Sequence, residues 1–233
     1  MTHELRTPLH AILSFSKLGS RKKLDENPNK KSEYFNKIHY SGERLLDLME
    51  NLLELSKYDA GKAEFNIVSH SLNAIIEETI LDLNILLEEK SLDIELVVPE
   101  HKFEVMLDKI RIEQVIKNLL SNAIKFSPEN GKIKIQLEIN SVVLGRRDTD
   151  TETVAAIKFS VMDEGLGIPE DELSMIFDKF IQSTKTKTGA GGTGLGLAIC
   201  REVIAGHSGK IWAENNPDGG AKFSFILALA KQD

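Results

Sequence analysis

A heptad pattern in the first quarter of the chain most constrains its fold. Mostly apolar positions follow one another at alternating spacings of three and four, at Ile38, Ser41, Leu45, Leu48, Leu52, Leu55 and Asp59. An earlier stretch has helical spacing of its own, at Leu5, Leu9, Ile12 and Phe15. The polar segment between these stretches, residues 20–31, contains Pro28 and predicts a loop. The sequence therefore predicts two helices that pack along a common seam.

The apolar face of the second helix is broader than one seam, because Leu46, Met49 and Leu53 lie beside it. A two-helix hairpin cannot bury so broad a face alone. A second copy of the chain would bury it in a four-helix bundle, and the alternative is that the rest of the chain covers it. We favour the homodimer, because both helices are apolar along their full lengths.

The pattern changes after the helix-stop and turn sequence Asp59-Ala60-Gly61-Lys62. From there short alternating runs predict strands interleaved with helices, including a strand over 62–68 and helices over 72–89, 108–126 and 193–205. The polar stretch 140–153 is longer than a simple hairpin needs. We expect two domains, 1–60 and 61–233. The predicted fold class is an α-helical hairpin, forming a dimeric four-helix bundle, plus an α/β sandwich with a mixed sheet covered by helices on one face.

Composition excludes several classes of protein. With 233 residues and 41% hydrophobic residues, the chain has enough apolar surface for a packed core. A single cysteine, Cys200, excludes a disulfide framework. The net charge of −7 argues against nonspecific nucleic-acid binding, and no apolar run has the roughly 18 residues of a membrane helix. We expect a cytoplasmic protein.

The segment His3-Glu4-Leu5-Arg6-Thr7-Pro8-Leu9 contains a candidate nucleophile. The carboxylate of Glu4 can take the proton from one ring nitrogen of His3 and leave the other free to attack phosphorus. Thr7 lies one helical turn further along and shares that face. A histidine and a glutamate alone would more often be a solvated pair near a frayed terminus.

A second motif, Asn118 to Phe126, has two asparagines on one helical face. Their amide oxygens can ligate Mg²⁺, and Lys125 can neutralise phosphate charge. Taken alone, Asn118 and Asn122 would more often be a solvated polar stripe.

Two glycine motifs complete the set. Asp163-Glu164-Gly165-Leu166-Gly167-Ile168 follows a predicted strand, where a carboxylate can accept a hydrogen bond from an exocyclic amine such as that of adenine. Gly192-Thr193-Gly194-Leu195-Gly196-Leu197 opens a helix and can bind phosphates through its backbone N–H groups. Either motif alone is only a turn signal of moderate specificity.

In this order and spacing, the motifs resemble those of sensor histidine kinases of two-component systems. His3–Leu9 resembles the H box, Asn118–Phe126 the N box and Asp163–Ile168 the first glycine box, while Phe177–Phe180 resembles the F box and Gly192–Leu197 the second glycine box. The resemblance covers nearly the whole chain. It implies a dimerisation and phosphotransfer hairpin followed by an ATP-binding domain of the kind found in gyrase and Hsp90.

The resemblance also implies roles for single residues. His3 is the expected phosphoacceptor for the γ-phosphate of ATP, Glu4 its general base, and Thr7 a residue that positions water for dephosphorylating a response regulator. The implied Mg²⁺ ligands are Asn118 and Asn122. The implied nucleotide-binding residues also include Lys125, Phe126, Asp163, Gly165, Gly167, Ile168, Phe180, Gly192, Thr193, Gly194, Leu195, Gly196 and Leu197. The phosphoryl group would then pass to an aspartate in the receiver domain of a response regulator.

Some features depart from the family pattern. Gln182 and Ser183 follow the F box where many relatives carry an arginine near the γ-phosphate; Lys185 and Lys187 are candidate substitutes, and the phosphate-clamping role stays unassigned. Because His3 is the third residue, we expect the catalytic part of a larger receptor. Two other functions stay open: an ATPase that does not phosphorylate itself, and a nucleotide-regulated scaffold.

Overall fold

The computed structural model describes residues 2–20, 28–99, 103–144, 152–186 and 192–229. The chain divides into two compact units, Met1–Lys62 and Ala63–Asp233. Within the described ranges, no helix is both long enough and apolar enough to cross a bilayer.

The first unit is a helical hairpin of α1 (Thr2–Gly19) and α2 (Pro28–Asp59), which pack against each other. Helix α2 begins at Pro28, inside the segment 20–31 that the sequence predicts as a loop, because proline is well tolerated in the first turn of a helix. Positions one heptad apart, Ser41, Leu48 and Leu55, are buried, as the seam predicts. Other apolar side chains remain between 46% and 63% exposed, at Leu9, Leu13, Leu46, Met49 and Leu53.

The second unit is built on a five-stranded sheet. Its strands are β2 (Asp93–Val97), β4 (Lys132–Leu144), β5 (Glu152–Met162), β6 (Lys210–Asn215) and β7 (Ala221–Ala228), in the order β2-β4-β5-β7-β6. Strands β2 and β4 are parallel, and the other neighbours are antiparallel. A separate antiparallel pair joins β1 (Val68–Ser71) to β3 (Glu104–Leu107).

Four helices accompany this sheet: α3 (Leu72–Asp82), α4 (Asn84–Glu89), α5 (Lys109–Phe126) and α6 (Gly196–Gly206). Helix α5 packs against α3, α6 and β5, and α6 packs against β6. In the core, the rings of Phe159 and Phe225 stack with centroids 4.8 Å apart, and the hydroxyls of Ser160 and Ser224 pair at 2.9 Å. The predicted fold class, a helical hairpin followed by an α/β unit with a mixed sheet, is confirmed.

Three predicted elements differ in detail. The strand expected over 62–68 begins only at Val68, because the preceding residues bind elsewhere: the backbone N–H of Asn66 donates to Asp108 Oδ2 at 3.0 Å. The helix expected over 72–89 breaks at Leu83 into α3 and α4. Helix α6 begins at Gly196 rather than Thr193, because Gly194 has a φ of +69° that no right-handed helix contains.

The polar stretch 140–153 continues the sheet at both of its described ends. Strands β4 and β5 stay paired as far as Leu144 and Glu152. Residues 145–151 lie outside the described part of the chain.

Candidate functional site

Helix α5 presents one polar face at the site. Its N-cap is Asp108, as predicted, with Oδ1 accepting the backbone N–H of Arg111 at 3.2 Å. The side chains of Asn118 and Asn122 meet, since Asn122 Nδ2 donates to Asn118 Oδ1 at 3.2 Å. Lys125 Nζ lies 5.0 Å from the centroid of the Phe126 ring. The apolar face of α5 is buried, whereas Asn118, Asn122 and Lys125 are half-buried.

The end of α5 is fixed by a lysine that sequence reasoning missed. Lys90 Nζ donates to the carbonyl oxygens of Ile124 at 2.9 Å, Lys125 at 2.8 Å and Ser127 at 3.0 Å. A cation at a helix C-terminus satisfies carbonyls that have no partner in the helix and opposes the negative end of the helix dipole. Lys90 lies 34 residues before Ile124, and nothing local in the sequence indicates this contact.

The first glycine motif lies beside the end of α5. Asp163 follows β5 and is 5% exposed, and its Oδ1 accepts the N–H groups of Gly165 at 2.8 Å and Ala221 at 3.1 Å. Burial raises the pKa of Asp163, while these two hydrogen bonds oppose the rise. Gly165 passes so close to α5 that a Cβ atom there would lie 2.6 Å from the carbonyl oxygen of Phe126.

The second glycine motif approaches α5 at Asn118 and Lys125. A Cβ atom on Gly196, the first residue of α6, would overlap the amide nitrogen of Asn118. Gly192 lies 3.9 Å from Lys125 Nζ by the same measure. The N–H of Phe180 donates to the carbonyl of Gly194 at 2.8 Å, which joins the F motif to this loop. The structure thus places both glycine motifs along α5, with Gly165 at Phe126, Gly192 near Lys125 and Gly196 at Asn118.

The segment before the second glycine motif is attached at several described points. Gln182 Nε2 donates to the carbonyl of Gly192 at 2.8 Å, and Lys185 Nζ donates to the carbonyl of Leu166 at 2.9 Å. The N–H of Thr184 lies 3.1 Å from both carboxylate oxygens of Glu172, a buried residue. Of the two lysines considered as arginine substitutes, Lys187 lies outside the described residues.

His207 connects the far ends of α5 and α6. Its Nε2 accepts the backbone N–H of Asp108 at 2.9 Å, and its Nδ1 lies 2.7 Å from the carbonyl of Val203. Because a backbone N–H only donates and a carbonyl only accepts, the neutral ring carries its proton on Nδ1. Burial lowers the pKa of His207. Its hydrogen bonds here are to backbone groups, and its ring meets that of Phe65 edge-on with centroids 5.1 Å apart.

The predicted nucleophile lies in the first unit. His3 is in the first turn of α1, and its side chain lies outside the described part of the chain. Glu4 follows it and is half-buried, and Thr7 is exposed one turn further on. The first unit therefore supplies His3, Glu4 and Thr7 in one helix, while the remaining predicted positions belong to the second unit.

Both units match known families. Residues 1–61 match the His Kinase A (phospho-acceptor) domain, and residues 107–231 match the histidine kinase-, DNA gyrase B- and HSP90-like ATPase. The sensor histidine kinase WalK of Bacillus subtilis is 32% identical over 100% of this chain and 36% of its own length. The non-motile and phage-resistance protein of Caulobacter vibrioides is 34% identical over 100% of this chain and 27% of its own. The chain thus spans about a third or less of these relatives.

Solved structures agree with the family matches. The histidine kinase ThkA in complex with the response regulator protein TrrA has a TM-score of 0.76 and 29% identity, covering 99% of this chain and 61% of that one. Full-length ShkA in complex with AMPPNP has a TM-score of 0.69 and 25% identity, covering 99% of this chain and 45% of that one.

Proposed function

This chain belongs to the histidine kinases that combine a phospho-acceptor domain with a gyrase- and Hsp90-like ATPase domain, and from that premise we propose that it phosphorylates His3 with ATP. The observation that carries the proposal is that two loops approach α5 closely, Gly196 at Asn118 and Gly165 of the Asp163 loop at Phe126. These are three separate motifs whose chemistry suits one nucleotide.

We propose a division of labour between residues 1–60, for dimerisation and phosphotransfer, and residues 61–233, for ATP binding. The division of the chain into two compact units, with the boundary between Lys62 and Ala63, supports this proposal. The family models support it as well, since the phospho-acceptor match ends at residue 61 and the ATPase match begins at 107.

In the proposed nucleotide complex, the carboxylate of Asp163 accepts a hydrogen bond from the exocyclic amine of adenine. Its Oδ1 already accepts two backbone N–H groups, and Oδ2 accepts none from the described residues, which leaves that oxygen for the base. Gly165, Gly167 and Ile168 form the pocket around the base, next to Phe126. Phe180 and the Gly192–Leu197 loop lie along the phosphates, where the N-terminus of α6 favours negative charge.

Asn118 and Asn122 fit the hard-oxygen chemistry that Mg²⁺ requires. The hydrogen bond between them uses the amide nitrogen of Asn122, so Asn122 Oδ1 stays available as a ligand. Bound there, the ion would neutralise triphosphate charge, and Lys125 would add a second positive charge.

The proposed reaction transfers one phosphoryl group. A ring nitrogen of His3 forms a bond to the γ-phosphorus, the bond from that phosphorus to the β-phosphate oxygen breaks, and ADP leaves. The other ring nitrogen gives its proton to Glu4, the adjacent carboxylate. Catalysis is mainly a matter of position and charge, as in other phosphoryl transfers.

We propose that the phosphoryl group then passes from His3 to an aspartate of a response regulator. ThkA, solved with the response regulator protein TrrA, supports this class of partner. Thr7, exposed one turn from His3, is the proposed residue for positioning water when the regulator is dephosphorylated. Because ATP is a cytoplasmic nucleotide, we propose that the site faces the cytoplasm.

The proposed assembly is a homodimer through the helical hairpin. Leu46, Met49 and Leu53 of α2 remain more than half exposed in the single chain, as does Leu13 of α1. A second copy that packed its hairpin against this face would bury these side chains in a four-helix bundle. Sedimentation of the purified chain measures this directly: a monomer at micromolar concentration contradicts the proposal.

The test of the kinase uses Mg²⁺ and ATP labelled on the γ-phosphate. We expect protein-bound label that survives alkali and is lost in acid, as a phosphohistidine is. His3→Gln removes the label, whereas the matched control His10→Gln, one heptad along the same helix, keeps it. Both variants retain ADP binding, because the proposed nucleotide site lies in the second unit.

Other outcomes favour the other two functions. ATP turnover and labelling that persist in His3→Gln would favour an ATPase that uses no histidine intermediate at this position. ADP binding with no label in any variant would favour a nucleotide-regulated scaffold.

A further inference from the structure

Two consecutive asparagines where β6 leads into the β6–β7 turn hydrogen-bond to the first glycine motif through their side chains. Asn215, the last residue of β6, binds both backbone groups of Ile168. Its Oδ1 accepts the N–H of Ile168 at 2.8 Å, and its Nδ2 donates to the carbonyl of Ile168 at 2.7 Å. One side-chain amide thus pairs with one residue as a neighbouring strand would, and it fixes the end of the motif in position and orientation.

The next residue, Asn216, hydrogen-bonds to the start of the same motif. Asn216 Nδ2 donates to the carbonyl oxygen of Asp163 at 2.9 Å and to that of Ala221 at 3.2 Å. Two further hydrogen bonds join Asp163 and Ala221: the N–H of Asp163 donates to the Ala221 carbonyl at 3.0 Å, and the N–H of Ala221 donates to the side-chain Oδ1 of Asp163 at 3.1 Å. The backbone and the carboxylate of Asp163 are therefore held from the same turn.

The contact between turn and motif leaves no spare space. A Cβ atom on Gly220 would overlap the carbonyl oxygen of Asp163, and one on Gly167 would lie 2.9 Å from Asn215 Oδ1. Asp163 and Ile168 are thereby held at a fixed separation, from outside the motif. Neither asparagine belongs to any of the five motifs that the sequence singled out.

We propose that Asn215 and Asn216 are positioning residues that set the preference of the pocket for adenine over guanine. The proposal rests on the proposed nucleotide function. Adenine presents an amine that donates to Asp163, whereas guanine presents a carbonyl at the same place, which a carboxylate repels. That discrimination requires the Asp163 carboxylate to stay in place. If the loop is loosened, the carboxylate can move away, which weakens its hydrogen bond to adenine and relieves its repulsion of guanine.

The experiment compares the affinities of the full chain for ADP and GDP in Asn215→Ala and Asn216→Ala. The matched control is Asn140→Ala, because Asn140 is an exposed asparagine whose Oδ1 accepts a local N–H, that of Ser141 at 2.8 Å. We expect each test variant to weaken ADP binding by about tenfold while GDP binding changes by less than about twofold. The ratio of the two dissociation constants then falls about tenfold, and Asn140→Ala leaves it unchanged.

A second measurement separates positioning from loss of structure. Self-phosphorylation at saturating ATP is expected to stay within about twofold of the original chain, so that the change lies in KM rather than kcat. A merely structural role would weaken ADP and GDP together, or lower kcat with the thermal midpoint, and either result overturns the inference. Unchanged ADP affinity in both variants also overturns it. Failure of the unaltered chain to bind ADP would instead overturn the proposed function itself.

Discussion

The two halves of the proposed nucleotide site are built differently. The base half, Asp163–Ile168, is bonded from β7, from the β6–β7 turn and within itself, and Asp163 is buried. The phosphate half, Phe180–Leu197, is attached in its described parts by half-buried Gln182, by exposed Lys185 and by the carboxylate of Glu172. The base half therefore forms a wall bonded to the neighbouring strands, whereas the described parts of the phosphate half are bonded through single side chains.

This difference suits a kinase that exchanges ADP for ATP after each turnover. The base is common to both nucleotides, so a rigid pocket for it loses nothing between the two states. The γ-phosphate is present only before transfer, and its surroundings have to respond to its presence. We therefore expect changes in the base half to weaken all adenine nucleotides, and changes in the phosphate half to affect chiefly the reaction of ATP.

The largest effect is expected for Gly220→Ala in the wall of the base half. The new methyl group overlaps the carbonyl oxygen of Asp163, and Gly220 has a φ of +85°. Strain and displacement together cost about 3 kcal/mol, which corresponds to a loss of ADP affinity of roughly 100-fold if the loop moves. Titration calorimetry with ADP measures the loss.

Gly219→Ala is the matched control for this change. Gly219 lies in the same turn with a φ of +100°, but a Cβ atom there has no neighbour within 4 Å. Gly219→Ala therefore introduces backbone strain without an overlap with Asp163. We expect a lower thermal midpoint with little change in ADP affinity. Equal losses of affinity in the two variants would mean that the wall is not rigid at Asp163.

A smaller and different effect is expected for Glu172→Ala in the phosphate half. This change removes the carboxylate that accepts the N–H of Thr184, so the segment leading to the second glycine motif loses an attachment. We expect the rate of self-phosphorylation to fall about fivefold, the equivalent of about 1 kcal/mol, with ADP affinity unchanged within twofold. Asp171→Ala, at the exposed neighbouring residue, is expected to change neither quantity. A parallel loss of ADP affinity in Glu172→Ala would remove the distinction between the halves.

Much of the site could be predicted from the sequence, because its motifs carry their own local geometry. The spacing of Asn118 and Asn122 sets one helical face, and Asp108 has the side chain and position of an N-cap. The residues that hold the motifs could not be predicted in this way. Lys90 and Asn215 are ordinary surface types whose roles depend on partners 34 and 47 residues away. Their function follows from tertiary contacts that no local spacing encodes.

The smallest effect is expected for a group that lies outside both halves. His207 is half-buried, and this partial burial lowers its pKa from the ordinary value of 6.5, with Asp108 the charged group that opposes the shift. Because the unfolded chain binds this proton more readily, the contribution of His207 to stability is present above about pH 6.5 and is lost as pH falls toward the lowered value. The slope cannot exceed about 1.4 kcal/mol per pH unit for one proton.

The measurement compares urea unfolding of the original chain and of His207→Gln between pH 7.5 and 5.5, the upper and lower bounds being about one unit either side of the ordinary pKa. Protonation of His207 Nε2 places a proton against the N–H of Asp108, so the original chain loses more stability than the variant does as pH falls. The rising pKa of buried Asp163 acts in the opposite direction in both chains and cancels in the difference. His70→Gln is the matched control, because it removes a histidine from β1 and leaves the bond between His207 and Asp108 in place. His207 joins the N-terminus of α5 to the C-terminus of α6, outside both halves of the site, so its loss should leave the preference for ADP over GDP unchanged. A shift in that preference would mean that the two halves are coupled through this histidine.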